Sequence, residues 1–289
     1  MINLGLVGFG EWGKNYFRSI GNVRKAKLSI ICKRDPSTIP SPIRKFVSVT
    51  ASLKQVLRKA NAVIVATPPS THREIACFFL ESGMPVMLEK PVAETVEDAE
   101  AIFEASARFN TPILVNNIHL FSPSFLSLRR AVGSWEPMCI RSEGGNNGPF
   151  REYSSILDYG PHDVAMAIAI AGSSPDGAEV FRVESEVGEL YNIRLYFGRS
   201  EANLMVGNGM ASKKRYFEAS CGNRIAAYDD LAEKDKFTLD GSVVRTMLTS
   251  SLDEAVHVFS RAVSDRDTDW RFSAGLNLDI MRILSLPLS

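Results

Sequence analysis

Three side chains in this sequence have the types and spacing for acid–base chemistry: Lys90, Asp158 and His162. Asp158 and His162 stand four apart in Asp158-Tyr159-Gly160-Pro161-His162-Asp163, so on a helix they share a face. Pro161 begins or bends such a helix, yet both side chains still point one way. A histidine beside a carboxylate exchanges protons near neutrality, because its unperturbed pKa is about 6.5. Lys90, between Glu89 and Pro91, can hydrogen-bond a reacting oxygen and stabilise negative charge developing there. A lysine, an aspartate and a histidine around a carbonyl or carbinol suit hydride transfer, provided a cofactor carries the hydride. Taken alone, the Asp158–His162 pair reads equally well as a helix cap.

The elements that must position these groups begin at the N-terminus. Ile2 to Val7 is a β-rich apolar run, followed by Gly8-Phe9-Gly10-Glu11-Trp12-Gly13. Tyr16, Phe17 and Ile20 then recur at helical spacing, and Leu28 to Cys32 is a second apolar run. Strand, glycine turn, helix and strand form the context of a dinucleotide fingerprint. Gly8 permits the tight turn, Gly10 lets the backbone approach a pyrophosphate, and Gly13 lets the helix pack on the strand. The helix N-terminus offers its N–H groups to the phosphates. The competing reading is a glycine turn that binds nothing.

The alternation continues. Strands are expected at Phe46–Val49, Ala62–Ala66, Pro85–Leu88 and Ile113–Val115. Helices are expected at Ser52–Lys59, Ser70–Glu81 and Thr95–Phe109. Apolar strands alternating with helices imply a doubly wound parallel sheet covered on both faces, the α/β class. Ligands of such sheets bind beyond the carboxyl ends of the strands, which brings Thr67-Pro68-Pro69 and Glu89-Lys90-Pro91 to the edge that carries the glycine turn. The second strand ends Cys32-Lys33-Arg34-Asp35. Lys33 stands where an acid would bind the ribose of NAD, and the Arg34 fork suits a 2′-phosphate. NADP(H) is therefore preferred and NAD(H) possible, with Asp35 able to turn inward to a ribose. The alternative is a solvated Lys-Arg pair in a surface turn.

Past residue 117 the pattern changes. Pro137–Ser142, Val180–Val187, Asn192–Phe197, Glu201–Val206, Lys214–Ala219 and Asn223–Tyr228 read as strands joined by turns. Strands without intervening helices predict a mostly antiparallel sheet, an α+β second half. One helix interrupts at Ser155–Ala171, and a second stretch is expected at Leu252–Ser264. The boundary falls at 117, giving domains 1–117 and 118–289. Gly275–Leu286 reads as a closing helix able to pack back on the first domain. Asn146 and Arg151, just before the Asp158 segment, are suited to sugar hydroxyls and phosphates, although a plain Gly-Asn turn fits as well.

Composition narrows the partners. The 289 residues are 45% apolar and 23% charged, with 33 basic and 33 acidic side chains. A zero balance argues against nucleic acid or an anionic membrane as the main partner. No apolar run reaches bilayer length, and the N-terminus does not read as a secretory signal. The four cysteines, Cys32, Cys77, Cys139 and Cys221, lack zinc or disulfide spacing, which predicts reduced thiols, no metal and a cytoplasmic setting.

The glycine turn at residue 8, Ala66-Thr67-Pro68-Pro69 with His72, Glu89-Lys90-Pro91 and Asp158-x-Gly160-x-His162-Asp163 together resemble the Gfo/Idh/MocA (glucose–fructose oxidoreductase / inositol dehydrogenase) family. The resemblance runs from residue 2 to about 172. It implies an N-terminal Rossmann domain and a C-terminal open-faced sheet that mediates dimer or tetramer contacts. It also implies that Lys90, Asp158 and His162 are catalytic, with His162 exchanging the proton and Lys90 and Asp158 orienting the substrate. Gly8, Gly10, Glu11, Trp12, Gly13, Lys33, Arg34, Thr67, Pro68, His72, Glu89 and Lys90 would serve the cofactor. Lys90, Asn146, Arg151, Asp158 and His162 would meet the substrate. Gly10-Glu11-Trp12-Gly13-Lys14-Asn15 and the Pro161-His162-Asp163 string are similar to members acting on nucleoside-diphosphate sugars in surface-polysaccharide pathways. Many members carry an arginine after the sixth strand, where this chain has Asn117-Ile118-His119-Leu120. Two other readings stay open: a catalytically silent dinucleotide-binding regulator, and an imine or biliverdin-type reductase of the same fold.

Overall fold

Ile2–Val7 (β1), Ala26–Cys32 (β2), Ser48–Thr50 (β3), Ala62–Val65 (β4), Val86–Leu88 (β5) and Ile113–Val115 (β6) hydrogen-bond side by side in the order β3-β2-β1-β4-β5-β6. Every pairing is parallel. The computed structural model describes residues 1–288. Its chain divides into two units, Met1–Asn116 with Leu252–Ala274, and Asn117–Ser251 with the chain from Gly275 onward.

In the first unit the strands are short apolar runs buried on both faces. Ala62, Val63, Ile64 and Val65 are wholly inaccessible, as are Leu4 and Leu6. Helices connect them: Glu11–Asn22 (α1), Ser41–Arg44 (α2), Leu53–Lys59 (α3), His72–Glu81 (α4) and Val96–Arg108 (α5). Thr95 caps α5 by accepting from the Asp98 N–H at 3.1 Å. The strand expected at Phe46–Val49 starts two residues later. Phe46 is 87% exposed and its N–H closes a turn onto Ile43 O, so pairing with β2 begins only at Ser48.

The second unit is built on Cys139–Asn147 (β7), Gly177–Val183 (β8), Leu190–Phe197 (β9), Ser200–Gly207 (β10), Gly209–Cys221 (β11), Arg224–Asp229 (β12), Phe237–Leu239 (β13) and Ser242–Val243 (β14). Their order is β14-β13-β12-β11-β7-β10-β9-β8, and only β7 and β10 run parallel. Pro123–Val132 (α6) and Ser155–Ala171 (α7) cover one face: α7 over β7, β9 and β10, α6 over β12 and β13. Ile140, Leu204, Ile193, Phe217 and Tyr228 point into that layer, while Arg141, Glu143, Arg194, Glu201 and Asn203 line the open face. This alternation is what an antiparallel sheet with one wet face requires.

The closing helix, Ala274–Leu284, lies in the second unit but for its first residue, whereas Leu252–Ala274, containing most of the helix Ser251–Asp265, clusters with the first. There Asn22 donates to Asp253 at 2.9 Å. Helix α6 is additional to the expected elements, although Ser122 at its N-cap, Pro123 in the first turn and buried Phe125, Leu128 and Val132 mark it. Pro161 lies inside α7, which starts six residues earlier at Ser155, so it neither begins nor ends the helix.

Candidate active site

At the carboxyl edge of the parallel sheet, backbone bonds stitch the loops into a row. Gly8 N–H reaches Cys32 O, Ala66 N–H reaches Val7 O, Glu89 N–H reaches Val65 O and Asn116 N–H reaches Leu88 O, all between 2.8 and 3.0 Å. The three loops expected at this edge are therefore neighbours. Gly8 has φ +94°, and a Cβ there would strike the Ala66 carbonyl. A Cβ at Gly13 would strike the Gly8 carbonyl, whereas Gly10 faces open space. No side chain caps α1. An uncapped helix end behind an open glycine is a cradle for a pyrophosphate, so these residues fit a dinucleotide.

The other residues expected at the cofactor divide into two groups. Trp12 is 37% exposed. Glu11 is exposed and pairs with Lys14 at 2.6 Å, which holds its carboxyl below the ordinary range. Lys33 is half-exposed and Arg34 exposed. Asp35 is taken up locally: its Oδ1 accepts from Ser37 N–H at 3.0 Å and Ser37 Oγ at 2.6 Å, which lowers its pKa. Thr67 and exposed Pro68 sit at the rim, where Thr71 Oγ1 lies 2.8 Å from both Thr67 Oγ1 and Pro68 O.

His72 and Glu89 instead face inward. His72 is wholly buried, with Nε2 2.9 Å from Thr67 O and Nδ1 3.0 Å from Pro91 O. It ties the loops after β4 and β5 together through their carbonyls. Burial pulls its pKa down, against the pull of those carbonyls. Glu89 is 5% exposed. Its Oε1 accepts from the Tyr16 hydroxyl at 2.5 Å and from Asn116 Nδ2 at 2.8 Å. Burial raises its pKa, and those two donors pull it back. Both residues thus hold the loops beside the cradle in place. The half-buried Lys90 follows directly, its N–H 3.2 Å from Glu89 Oε2. Tyr16 and Asn116 escaped the sequence reading because they lie 73 and 27 residues from Glu89.

In the second unit, Asp158 and His162 lie one turn apart in the buried part of α7, at 8% and 9% exposure. Arg151 Nε approaches Asp158 Oδ2 at 3.1 Å. Asn146 is half-buried at the end of β7, its Oδ1 accepting from Asn147 N–H. Glu189 fixes the start of the helix: its Oε2 accepts from Ser155 N–H at 2.8 Å and Ser154 Oγ at 3.1 Å. Asp163 lies against Gly144 beneath the helix, and burial pushes its carboxyl up to about 6. The His119 ring packs against His162 with centroids 5.1 Å apart and planes at 87°. His119 stands in the segment that departs from the family pattern, which gave no sign of this contact. Lys90 belongs to the first unit and Asp158 and His162 to the second. Among the described residues, no three His, Cys, Asp or Glu side chains cluster as metal ligands, and no helix is long and apolar enough to cross a membrane.

Residues 2–117 match the model of an oxidoreductase family with an NAD-binding Rossmann fold. A solved protein of Magnetospirillum magnetotacticum, assigned as an oxidoreductase, superposes with TM-score 0.86 at 30% identity, covering 98% of both chains. Among curated proteins, inositol 2-dehydrogenase 2 of Saccharopolyspora erythraea is 26% identical over 183 residues, 59% of this chain. UDP-N-acetylglucosamine 3-dehydrogenase of Acidithiobacillus ferrooxidans is 29% identical over 136 residues, 46% of this chain. The matched stretches span 54% and 41% of those two relatives' own lengths.

Proposed function

This chain belongs to the Gfo/Idh/MocA oxidoreductase family, and on that premise we propose that it oxidises or reduces a ring carbon of a sugar, cyclitol or nucleoside-diphosphate sugar with a nicotinamide dinucleotide. The observation that carries this reading is the pair on α7: a histidine and a carboxylate one turn apart, both nearly buried, with Arg151 on the carboxylate. The inositol and UDP-N-acetylglucosamine dehydrogenases among its relatives support the substrate class.

Gly8, Gly10, Gly13 and the α1 N-terminus would hold the pyrophosphate, with Thr67 and Pro68 at the rim. When bound, the dinucleotide supplies the hydride acceptor or donor. Lys33 and Arg34 favour a 2′-phosphate, hence NADP(H) over NAD(H), and Asp35 is occupied by Ser37. Lys90 donates to the reacting oxygen and offsets its developing charge. Asp158 accepts from a neighbouring hydroxyl, and Arg151 and Asn146 meet the sugar or its phosphate. His162 takes the hydroxyl proton in oxidation and returns it in reduction. Self-association into a homodimer or homotetramer through the open sheet face belongs to the same proposal.

The test is turnover. Absorbance of the reduced nicotinamide is followed with inositols, aldoses and UDP-sugars, each with NADP⁺ and NAD⁺. Conversion of one of these substrates supports the reading. Tight dinucleotide binding without conversion across the panel replaces it with the regulator reading.

A further inference from the structure

Between the end of β7 and the start of α7 runs a strap, residues 148–154, that carries Arg151. The Arg151 side chain is 45% exposed, yet its Nε lies 3.1 Å from Oδ2 of Asp158, whose side chain is 10% exposed. An exposed arginine does not keep one partner by charge alone, because a surface ion pair scarcely offsets the rotamer freedom it costs. The backbone beneath it has to be held, and both ends of the strap are.

At the start, both backbone polar groups of buried Gly148 are occupied. Its N–H donates to Asn208 O at 3.0 Å, and its carbonyl accepts from the Tyr159 hydroxyl at 2.9 Å. The Asn208 side-chain amide reaches the next carbonyl, that of Pro149, at 3.4 Å. At the far end, Glu189 holds Ser154 and Ser155. The two anchors are themselves joined: Asn208 Oδ1 accepts from Glu189 N–H at 2.8 Å, and Asn208 N–H donates to Glu189 O at 3.0 Å. The strap therefore hangs from one asparagine–glutamate pair, placed where β9 begins and β10 ends. Gly188 lets the pair close up: its φ is +76°, and a Cβ there would lie 2.6 Å from Asn208 Oδ1 and 3.0 Å from the Phe150 ring.

Tyr159 ties the strap to the helix, since it follows Asp158 directly on α7. It is 5% exposed, and the Arg215 guanidinium lies over its ring at 5.3 Å while Arg215 Nη1 donates to Gly145 O at 3.0 Å. The ring is thus fixed on that face. A carbonyl can only accept, so the phenol donates to Gly148. Burial and the neighbouring Asp158 hold the phenol above its usual range, so it keeps that hydrogen. We infer that Tyr159 and Asn208 are positioning residues for the substrate site: by fastening Gly148 they hold Arg151 on Asp158, so that guanidinium and carboxylate meet the substrate in one preset arrangement. This role rests on the oxidoreductase reading, in which Arg151 and Asp158 touch the substrate; the fastening itself does not. Preset groups lose less freedom when a ligand arrives, so the effect falls on substrate binding and not on the chemical step.

Tyr159→Phe removes the hydroxyl and keeps the ring beneath Arg215. The KM for the substrate converted in the turnover panel should rise about fivefold, the worth of one hydrogen bond, with kcat and the NADPH dissociation constant nearly unchanged. In an Arg151→Ala background the same change should add almost nothing, because it acts through Arg151. An unchanged KM, or an equal rise in both backgrounds, overturns the assignment. The fastening is read without substrate from the Arg151 Nε–H signal in nitrogen–proton NMR spectra of the full chain, assigned by its loss in Arg151→Lys. Its exchange with water should be about fivefold faster in Tyr159→Phe, and an unchanged rate overturns the assignment as well. Should Tyr159→Phe fail to fold, Asn208→Ser carries both measurements, with the same changes expected. Faster exchange in a protein that converts no substrate sinks the oxidoreductase reading alone. Unchanged exchange in an active enzyme sinks only the positioning role.

Discussion

Glu189 closes the N-terminus of the helix that carries Asp158 and His162: its Oε2 accepts the Ser155 N–H at 2.8 Å across 34 residues of sequence. A helix start leaves N–H groups without intrahelical partners, and a carboxylate there satisfies one while meeting the positive end of the dipole. Those donors outweigh burial and hold Glu189 below the usual glutamate range. A depressed carboxyl stabilises the fold above its unfolded pKa and loses that contribution as pH falls through the folded value. Glu189→Gln should therefore cost about 1 kcal/mol at pH 7 and flatten the acid limb of stability. Chemical unfolding between pH 3 and 7 reads both effects, and an unchanged profile would contradict the assignment.

Tyr16→Phe should expose the cost of burying Glu89. The hydroxyl is one of two side-chain donors to Glu89 Oε1, and its loss penalises the ionised carboxyl more than the neutral one. The predicted destabilisation is about 1–3 kcal/mol, larger at pH 8 than at pH 5. Because Glu89 adjoins Lys90, the cofactor KM should rise as well. Urea unfolding at both pH values checks the first claim. A pH-independent loss would mean that Tyr16 acts through packing alone.

Asp163 should show the opposite sign from Glu189. Its carboxyl is raised to about 6 in the fold by burial. The native state then binds more protons than the unfolded chain between the two pKa values, so this contribution weakens as pH rises through that window. Asp163→Asn should remove a penalty of about 3 kcal/mol at pH 7 and almost none at pH 4. Equal effects at both pH values in a thermal unfolding series would refute the raised carboxyl.

Lys33 and Arg34 should decide between the two dinucleotides. Replacing both with Ala should raise KM for NADPH at least tenfold and leave KM for NADH nearly unchanged, the loss of charge-assisted bonds to a 2′-phosphate. Equal changes in the two constants would show a solvated pair in a surface turn.

Much of the fold was legible because its signals are local. The helix at Ser155–Ala171 and the strands at Ile2–Val7 and Ile113–Val115 fall at the expected residues, since apolar runs bounded by Gly, Ser or Asn mark both ends. The strands Phe237–Leu239 and Ser242–Val243 were missed, because two or three residues carry no period. The site shows the same division. The glycine turn, Lys90, Asp158 and His162 announce themselves through motif and spacing. Tyr16 with Asn116, and His119 with Tyr228, pair across 100 and 109 residues and become neighbours only once the sheets are assembled. His72 and Glu89 carry motif signals, and the fold adds the partners through which they brace the loops beside the cradle.

The central claim is that His162 exchanges the proton of a reacting sugar hydroxyl. Its most direct test is single-turnover reduction of a keto-sugar substrate by enzyme preloaded with NADPH, comparing the wild type with His162→Ala. The account predicts a rate at least a hundredfold lower in the variant, with the NADPH dissociation constant unchanged. A variant that reduces the substrate at the wild-type rate would contradict it.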